Sequence, residues 1–256
     1  MVTVSVDIIG ASEVNYGLGN QLFQIAAAIS YAKDCGFDAT FPSLKDPKYG
    51  SYINNILRKI STKERGRLEL YYRQLSFAYS PIPKMPSSFC IKGSYLQSEK
   101  YFCHNRDLIL ETFSPSEEDL SYLKEEYNVG TSTISLHVRR GDYLNNTQYH
   151  TNLMETEYYT KAIEFLNADS VLVFSDDPMW AREAFPSYTI VEEEDYLELY
   201  LMSLCNDNII ANSSFSWWGA WLNKNPDKRV VAPIEWFGPD HHFTTKDLIP
   251  STWTRL

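Results

Sequence analysis

The sequence predicts an α/β protein with a parallel sheet in its second half, and three observations carry that expectation. Beyond Gly130, short apolar runs alternate with amphipathic stretches of helix length, the pattern of βαβ units. Three of these runs, Thr133–Val138, Val171–Phe174 and Asn208–Ala211, each end in a small polar or charged turn. The chain has 256 residues with 44% hydrophobic and 22% charged side chains, which is enough for a large core and too balanced for disorder.

Taken in order, Val2–Ile9 reads as a first strand and Asn15-Tyr16-Gly17-Leu18-Gly19 as a turn. Residues 20–34 read as a helix with Leu22, Phe23, Ala26 and Ile29 on one side and Gly36 as its C-terminal stop. Residues 40–112 carry prolines 42, 47, 81, 83 and 86 and many tyrosines, the texture of short elements and loops. Ser114-Pro115-Ser116-Glu117 has a cap, a first-position proline and a Glu three residues after the cap, predicting a helix to about Tyr127. The change of texture places a domain boundary near residue 128.

The composition excludes several classes. A net charge of −10 argues against a polynucleotide partner, whose groove would be basic. Cys35, Cys90, Cys103 and Cys205 form no CxxC pair, so neither a disulfide framework nor a zinc site is expected. The N-terminal run lacks the pattern of a signal peptide, and no apolar run reaches the length of a membrane span. A reducing, cytoplasmic setting is expected, and in it the sequons at Asn145 and Asn212 read as chance.

The chemistry sits at the three strand ends. Alternation along Thr133–Val138 puts Ile134, Leu136 and Val138 on one face and Ser135 and His137, with Arg139, on the other. Two adjacent arginines at a strand end are costly to bury without an anion, and a guanidinium fork matches phosphate oxygens. Arg139 and Arg140 thus read either as a diphosphate clamp or as surface residues paired with Asp142; Arg140-Gly141-Asp142 also matches an adhesion tripeptide, but here it comes after a core-like strand. In Ser175-Asp176-Asp177-Pro178, one Asp caps a helix whose first residue is the proline, and the other is free to accept from a ligand N–H such as a guanine edge. In Asn212-Ser213-Ser214-Phe215-Ser216, hydroxyls and helix N-terminal N–H groups make an anion site or an ordinary cap, while Trp217, Trp218 and Trp221 read as core. Together these place cations, carboxylates and a helix start at neighbouring strand ends, where open α/β sheets bind ligands. The Gly17-Leu18-Gly19-Asn20-Gln21 turn is neither a dinucleotide fingerprint nor a P-loop.

At these residues the chain resembles the α-1,2-fucosyltransferases of glycosyltransferase family 11. The matching stretches are Gly17-Leu18-Gly19-Asn20-Gln21-Leu22-Phe23-Gln24, His137-Val138-Arg139-Arg140-Gly141-Asp142-Tyr143, Ser175-Asp176-Asp177 and Ser213-Ser214-Phe215-Ser216-Trp217-Trp218, in the family's order. Tyr16 departs from it, standing where the family often has a second glycine. The resemblance implies a GT-B-like fold of two Rossmann-like halves facing a cleft, with 1–128 on the acceptor side and 129–256 binding a GDP-sugar. It implies transfer from GDP-β-L-fucose to a terminal galactose, inversion at the anomeric carbon, and no metal or other cofactor. It assigns the guanosine to His137 with Asp176 or Asp177, and the diphosphate to Arg139 and Arg140 with help from Ser213, Ser214 and Phe215. It turns Gly17, Gly19, Asn20 and Gln21 toward the donor.

On that reading charge grows on the leaving diphosphate and the arginines stabilise it. Asp142 is either a general base or an orienter of an arginine. Glu117-Glu118-Asp119 and Glu193-Glu194-Asp195 resemble metal motifs but also fit acidic first turns of helices, which complement the dipole. Another GDP-sugar transferase, or a non-catalytic nucleotide- or sugar-binding module, would share much of this pattern.

Overall fold

The computed structural model describes residues 2–6, 17–41, 50–62, 68–130, 132–167 and 169–256. Residues 7–9 of the expected first strand, Asn15 and Tyr16 of the turn, and Pro42 and Pro47 lie outside these. The chain forms two compact units, Met1–Ser116 with Lys246–Leu248, and Glu117–Thr245 with Ile249–Leu256.

In the first unit β1 (Thr3–Val6) leads to α1 (Leu18–Cys35) and β2 (Asp38–Thr40), then β3 (Leu70–Tyr72), β4 (Phe89–Ile91) and α2 (Arg106–Thr112). The four strands are parallel in the order β2-β1-β4-β3. The order reverses between β1 and β4, so the switch point of this sheet lies at their carboxyl ends. Helix α1 stops at Gly36, whose φ of 66° is the left-handed C-cap expected of glycine. The expected single apolar side of α1 is not what forms. Gln21, Gln24 and Ser30 are buried beside Leu22, Phe23 and Ala26, while Ile29 is only half-buried. Its polar residues are covered because side chains and backbone of the later loops supply partners, as Ser94 does for Gln24 at 2.8 Å.

The second unit begins with α3 (Glu117–Tyr127), so the change of texture seen near residue 128 marks the end of a helix that belongs with the second sheet. Helix α3 lies against α6 (Asp195–Leu204), and Tyr122 and Tyr127 both donate to the Glu193 carboxylate, at 2.7 and 2.8 Å. After α3 come β5 (Thr133–Val138), α4 (Tyr158–Leu166), β6 (Ser170–Ser175), α5 (Pro178–Ala184) and β7 (Thr189–Val191). Beyond α6 lie β8 (Asp207–Ile209), α7 (Ser214–Leu222), β9 (Val230–Ala232) and β10 (Thr254–Arg255). All six strands are parallel, in the order β10-β9-β8-β5-β6-β7. Strand β5 is therefore central, and all six of its residues are buried.

One face of β5 packs Ile134, Leu136 and Val138 against Tyr158, Tyr159 and Ala162 of α4 and Ala181 of α5. On the other face Ser135 accepts from the Asn208 amide at 2.7 Å, and the same amide donates to the Met202 carbonyl of α6. Trp217, Trp218 and Trp221 are core, as their spacing on α7 suggests. Tyr158 uses its hydroxyl to donate to the carbonyls of Ile210 and Val231, at 2.6 and 2.9 Å, just past β8 and on β9. Buried backbone acceptors at a strand end are thereby satisfied.

Candidate active site

Strands β6, β5 and β8 are neighbours, so the turns that leave their carboxyl ends converge. The turn after β5 carries Arg139 and Arg140, then one 3-10 turn over Gly141–Asn145. The Arg140 backbone N–H donates to Asp176 Oδ1 at 2.8 Å, and Arg139 Nη1 lies 3.1 Å from Asp176 Oδ2. Arg140 Nε donates to Asp177 at 3.2 Å, and its guanidinium carbon sits 3.8 Å from the Trp180 ring centre. Asp177 also caps α5, accepting from the Trp180 N–H. The expected cap is thus Asp177, and it serves the arginine turn as well. Both carboxylates of Ser175-Asp176-Asp177 hold the arginine turn in place.

Arg139 has a second carboxylate, Asp142, at 2.5 Å, and its guanidinium lies over the Tyr143 ring at 5.4 Å. Around Arg139 burial opposes the charge and the two carboxylates favour it, the balance raising its pKa. Of the alternative posed by the sequence, the pairing of Arg139 with Asp142 is what forms. Arg139 does pair with Asp142, yet it remains part of a two-arginine cluster with Arg140.

His137 is on the buried face of β5, and its ring nitrogen Nδ1 has no hydrogen-bond partner among the described residues. Burial first, and then the Arg139 charge, push its pKa down to about 3, so the imidazole is neutral at ordinary pH. Its ring centre lies 5.6 Å from that of Phe215. An unpartnered buried polar atom beside an aromatic face fits a ligand group that completes the hydrogen bond.

From β8 the chain turns into α7 at Ser213, which caps the helix by accepting from the Phe215 N–H. Asn212 just before it is buried, and its amide donates to the carbonyls of Thr151 and Trp236, at 2.9 and 3.0 Å. Its own carbonyl accepts from the Tyr143 hydroxyl at 3.2 Å. The arginine turn, the start of α7 and the segment at Trp236 are therefore tied to one residue. A further close approach fixes the same loops, since a Cβ at Gly238 would lie 2.4 Å from the Thr147 carbonyl oxygen. The Asn212 sequon is structural, with its amide occupied inside the fold.

The structure thus brings together His137, Arg139, Arg140, Asp142, Asp176, Asp177, Ser213, Ser214 and Phe215 in the second unit. Gly17, Gly19, Asn20 and Gln21 open α1 in the first unit. Sequence reasoning missed Trp180, Asn212 and Glu198. Trp180 follows Asp177 at helical spacing, and Asn212 touches a named motif, but Glu198 carries no motif signal. It lies one turn into α6, and its carboxyl is pushed up to about 8, chiefly by burial. An N–H from Glu193 opposes that rise, while Asp195, Glu193 and Asp176 add to it.

A model of glycosyl transferase family 11 matches residues 13–256. The chain belongs to glycosyltransferase family 11. The family-11 chain is 33% identical to the O-antigen biosynthesis glycosyltransferase WbnK of Escherichia coli, over 94% of its own length and 98% of that protein. It is 34% identical to an alpha-1,2-colitosyltransferase of Escherichia coli, over 65% of its length and 64% of that protein. A galactoside 2-alpha-L-fucosyltransferase of Caenorhabditis elegans is 24% identical over 94% of this chain and 77% of its own. Among solved structures, the fucosyltransferase NodZ from Bradyrhizobium superposes with a TM-score of 0.55 at 15% identity, covering 85% of this chain and 91% of that one. This likeness shows the fold, which is GT-B-like with parallel sheets in both units, as the motif resemblance implies. No helix among the described residues is long and apolar enough to cross a membrane.

Two variants test this geometry. A Cβ at Gly141 would lie 2.4 Å from Asp176 Oδ2, so Gly141→Ala is expected to push that carboxylate off the arginine turn. Transfer by the family-11 enzyme should fall by roughly 10²-fold, the scale of a 1 Å misplacement at a reacting site, with the circular dichroism spectrum retained. Unchanged turnover would mean that Asp176 does not position the arginines. The second variant addresses Glu198, whose folded pKa of about 8 lies above its ordinary 4.5. Between those values the folded state keeps a proton that the unfolded state loses, so stability falls as pH rises through that window. Glu198→Gln should flatten the decline of Tm across that window, and parallel curves for the two proteins would refute this.

Proposed function

We propose that this glycosyltransferase moves L-fucose from GDP-β-L-fucose to the 2-hydroxyl of a terminal galactose, with inversion and without a metal. The observation that carries the reading is the convergence of Arg139, Arg140 and the start of α7 at two adjacent strand ends, those of β5 and β8. The two guanidinium groups are held there by Asp142, Asp176 and Asp177. Two relatives support the substrates. The Caenorhabditis elegans protein is named a galactoside 2-alpha-L-fucosyltransferase, and NodZ has been crystallised with GDP and soaked with GDP-fucose.

In the proposed step, the galactose 2-hydroxyl oxygen attacks the fucose anomeric carbon from the face opposite the diphosphate. The bond from that carbon to the β-phosphate oxygen breaks, and its electron pair leaves with GDP. Arg139 and Arg140 stabilise the charge that grows there, with the first turn of α7 adding N–H groups. Because their carboxylate partners already hold them, the guanidinium groups need little reorganisation during the step. His137, neutral and with Nδ1 unpartnered among the described residues, is suited to the guanosine part. Asp142 is held by Arg139, and its role in this reading is to orient that arginine rather than to act as the base. The hydroxyl proton passes to solvent or to an acceptor outside this pair. Asp195 and Glu198 lie in the first turn of α6 and Glu117–Asp119 in that of α3, positions where acid complements a helix dipole.

A second reading has a specific basis, because one relative at 34% identity is named an alpha-1,2-colitosyltransferase. That reading keeps the linkage and changes the donor sugar.

Incubation with GDP-fucose and lactose in the presence of EDTA should yield fucosyl-lactose. Arg140→Ala should lower that turnover by about 10²–10³-fold while the protein still folds. Near-normal turnover of the variant would overturn the assignment of the clamp. No product from GDP-fucose, with transfer from a colitosyl donor, would favour the second reading. Binding of GDP without turnover of any donor would mark a non-catalytic module.

A further inference from the structure

Two loops of the second unit build an aromatic platform that none of the motifs includes. They are residues 147–151, which follow the arginine turn, and residues 237–243, which follow β9. The loops are bound to each other. The Gly238 N–H donates to the Tyr149 carbonyl and the Asp240 N–H to that of Gln148, both at 2.9 Å. The Thr151 hydroxyl donates to the Phe237 carbonyl at 3.0 Å, and His150 bridges antiparallel to Phe237. Only a glycine permits this approach, because a Cβ at Gly238 would also lie 2.6 Å from the Gln148 carbonyl oxygen.

Four rings pack where the loops meet. The ring centres of Phe237 and His241 are 4.5 Å apart, and those of His241 and Phe243 4.3 Å. Tyr149 stands edge-on to His241 at 5.9 Å. Yet Tyr149 and Phe243 stay 44% and 43% exposed. Aromatic surface that is joined through a common ring, held by backbone hydrogen bonds and still left in water marks a place that meets a ligand.

The position of the platform says which ligand. His150 stacks on Tyr143, with ring centres 3.8 Å apart, and Tyr143 lies under the Arg139 guanidinium. The platform therefore begins one ring away from the arginine turn, within the same unit. Asn212 donates to the Thr151 and Trp236 carbonyls and accepts from Tyr143, so one residue holds both loops and the turn. A transferred sugar needs its acceptor beside the donor. One face of a galactose ring presents several C–H bonds together, and it packs on an aromatic ring while the hydroxyls stay in water. We infer that Tyr149 and Phe243, backed by His241, form the acceptor sugar site, on which a galactose-terminated glycan lays the apolar face of a sugar ring. This inference rests on the glycan-transfer reading above.

The test measures KM for lactose and for GDP-fucose in Tyr149→Ala, Phe243→Ala and Tyr149→Phe. Saturation-transfer NMR of lactose, with the aromatic protons of each protein irradiated, gives a readout that needs no turnover. Both alanine variants remove exposed rings, so the fold should persist. Each should raise KM for lactose about five- to tenfold, the scale of one aromatic contact, and leave KM for GDP-fucose unchanged. Tyr149→Phe keeps the ring and should behave as the native protein. Aromatic saturation should reach lactose in the native protein and weaken in both alanine variants. A native KM for lactose in both alanine variants, or an equal rise in both KM values, would overturn the inference. If the native protein turns over no GDP-sugar, the transfer reading has failed and the NMR decides alone. A lactose signal lost in the alanine variants then supports the sugar site, and no signal in the native protein overturns it.

Discussion

The pairing of the Arg139–Arg140 turn with Asp176 and Asp177 is the interaction on which the rest of the site depends. Two guanidinium groups at the carboxyl edge of a buried strand would repel each other and resist desolvation if left alone. The neighbouring strand supplies the remedy at the same height, because β6 is parallel to β5 and in register with it, Val138 facing Ser175. The two aspartates after Ser175 therefore reach the two arginines after Val138. Trp180, one helical turn on from Asp177, covers the second guanidinium. Asp142, Asp176 and Asp177 thus fix both guanidinium groups within the chain itself.

The other half of the frame is neutral and buried. Asn212 ties the arginine turn, the start of α7 and the segment near Trp236 into one body through its amide and its carbonyl. His137, on the strand between them, is kept uncharged by burial and by Arg139. A charged imidazole there would add a third cation to two already crowded. The site thus contrasts a fixed edge of arginine–aspartate pairs with an uncharged, hydrogen-bonding interior.

Much of this was legible in the sequence, for physical reasons that differ by region. The second unit could be read because β5 and β6 are largely runs of β-branched or aliphatic residues ended by a polar turn, and because parallel strands put such turns on one edge. Ser213 and Asp177 were readable as caps because capping chemistry is local. The partners of the aspartates were not, since the contact of Asp176 with the Arg140 backbone N–H joins residues far apart in sequence. Glu198 was invisible because its altered acidity comes from burial, which no local pattern reports. In the first unit, strands of three residues in a stretch rich in tyrosine and proline leave almost no periodic signal. The polar residues buried on α1 erased the amphipathic stripe that would have oriented it.

The central claim is that planar, pre-paired arginines, and not a metal ion, hold the diphosphate. Titration calorimetry of GDP in EDTA against the wild-type protein and Arg140→Lys tests it most directly, because lysine keeps the charge and loses the fork and the stacking on Trp180. GDP should bind the wild type without added metal and bind Arg140→Lys about tenfold more weakly or worse, the scale of a charge-assisted hydrogen bond. Equal affinity for the two proteins, or GDP binding that appears only when a divalent cation is restored, would contradict the account.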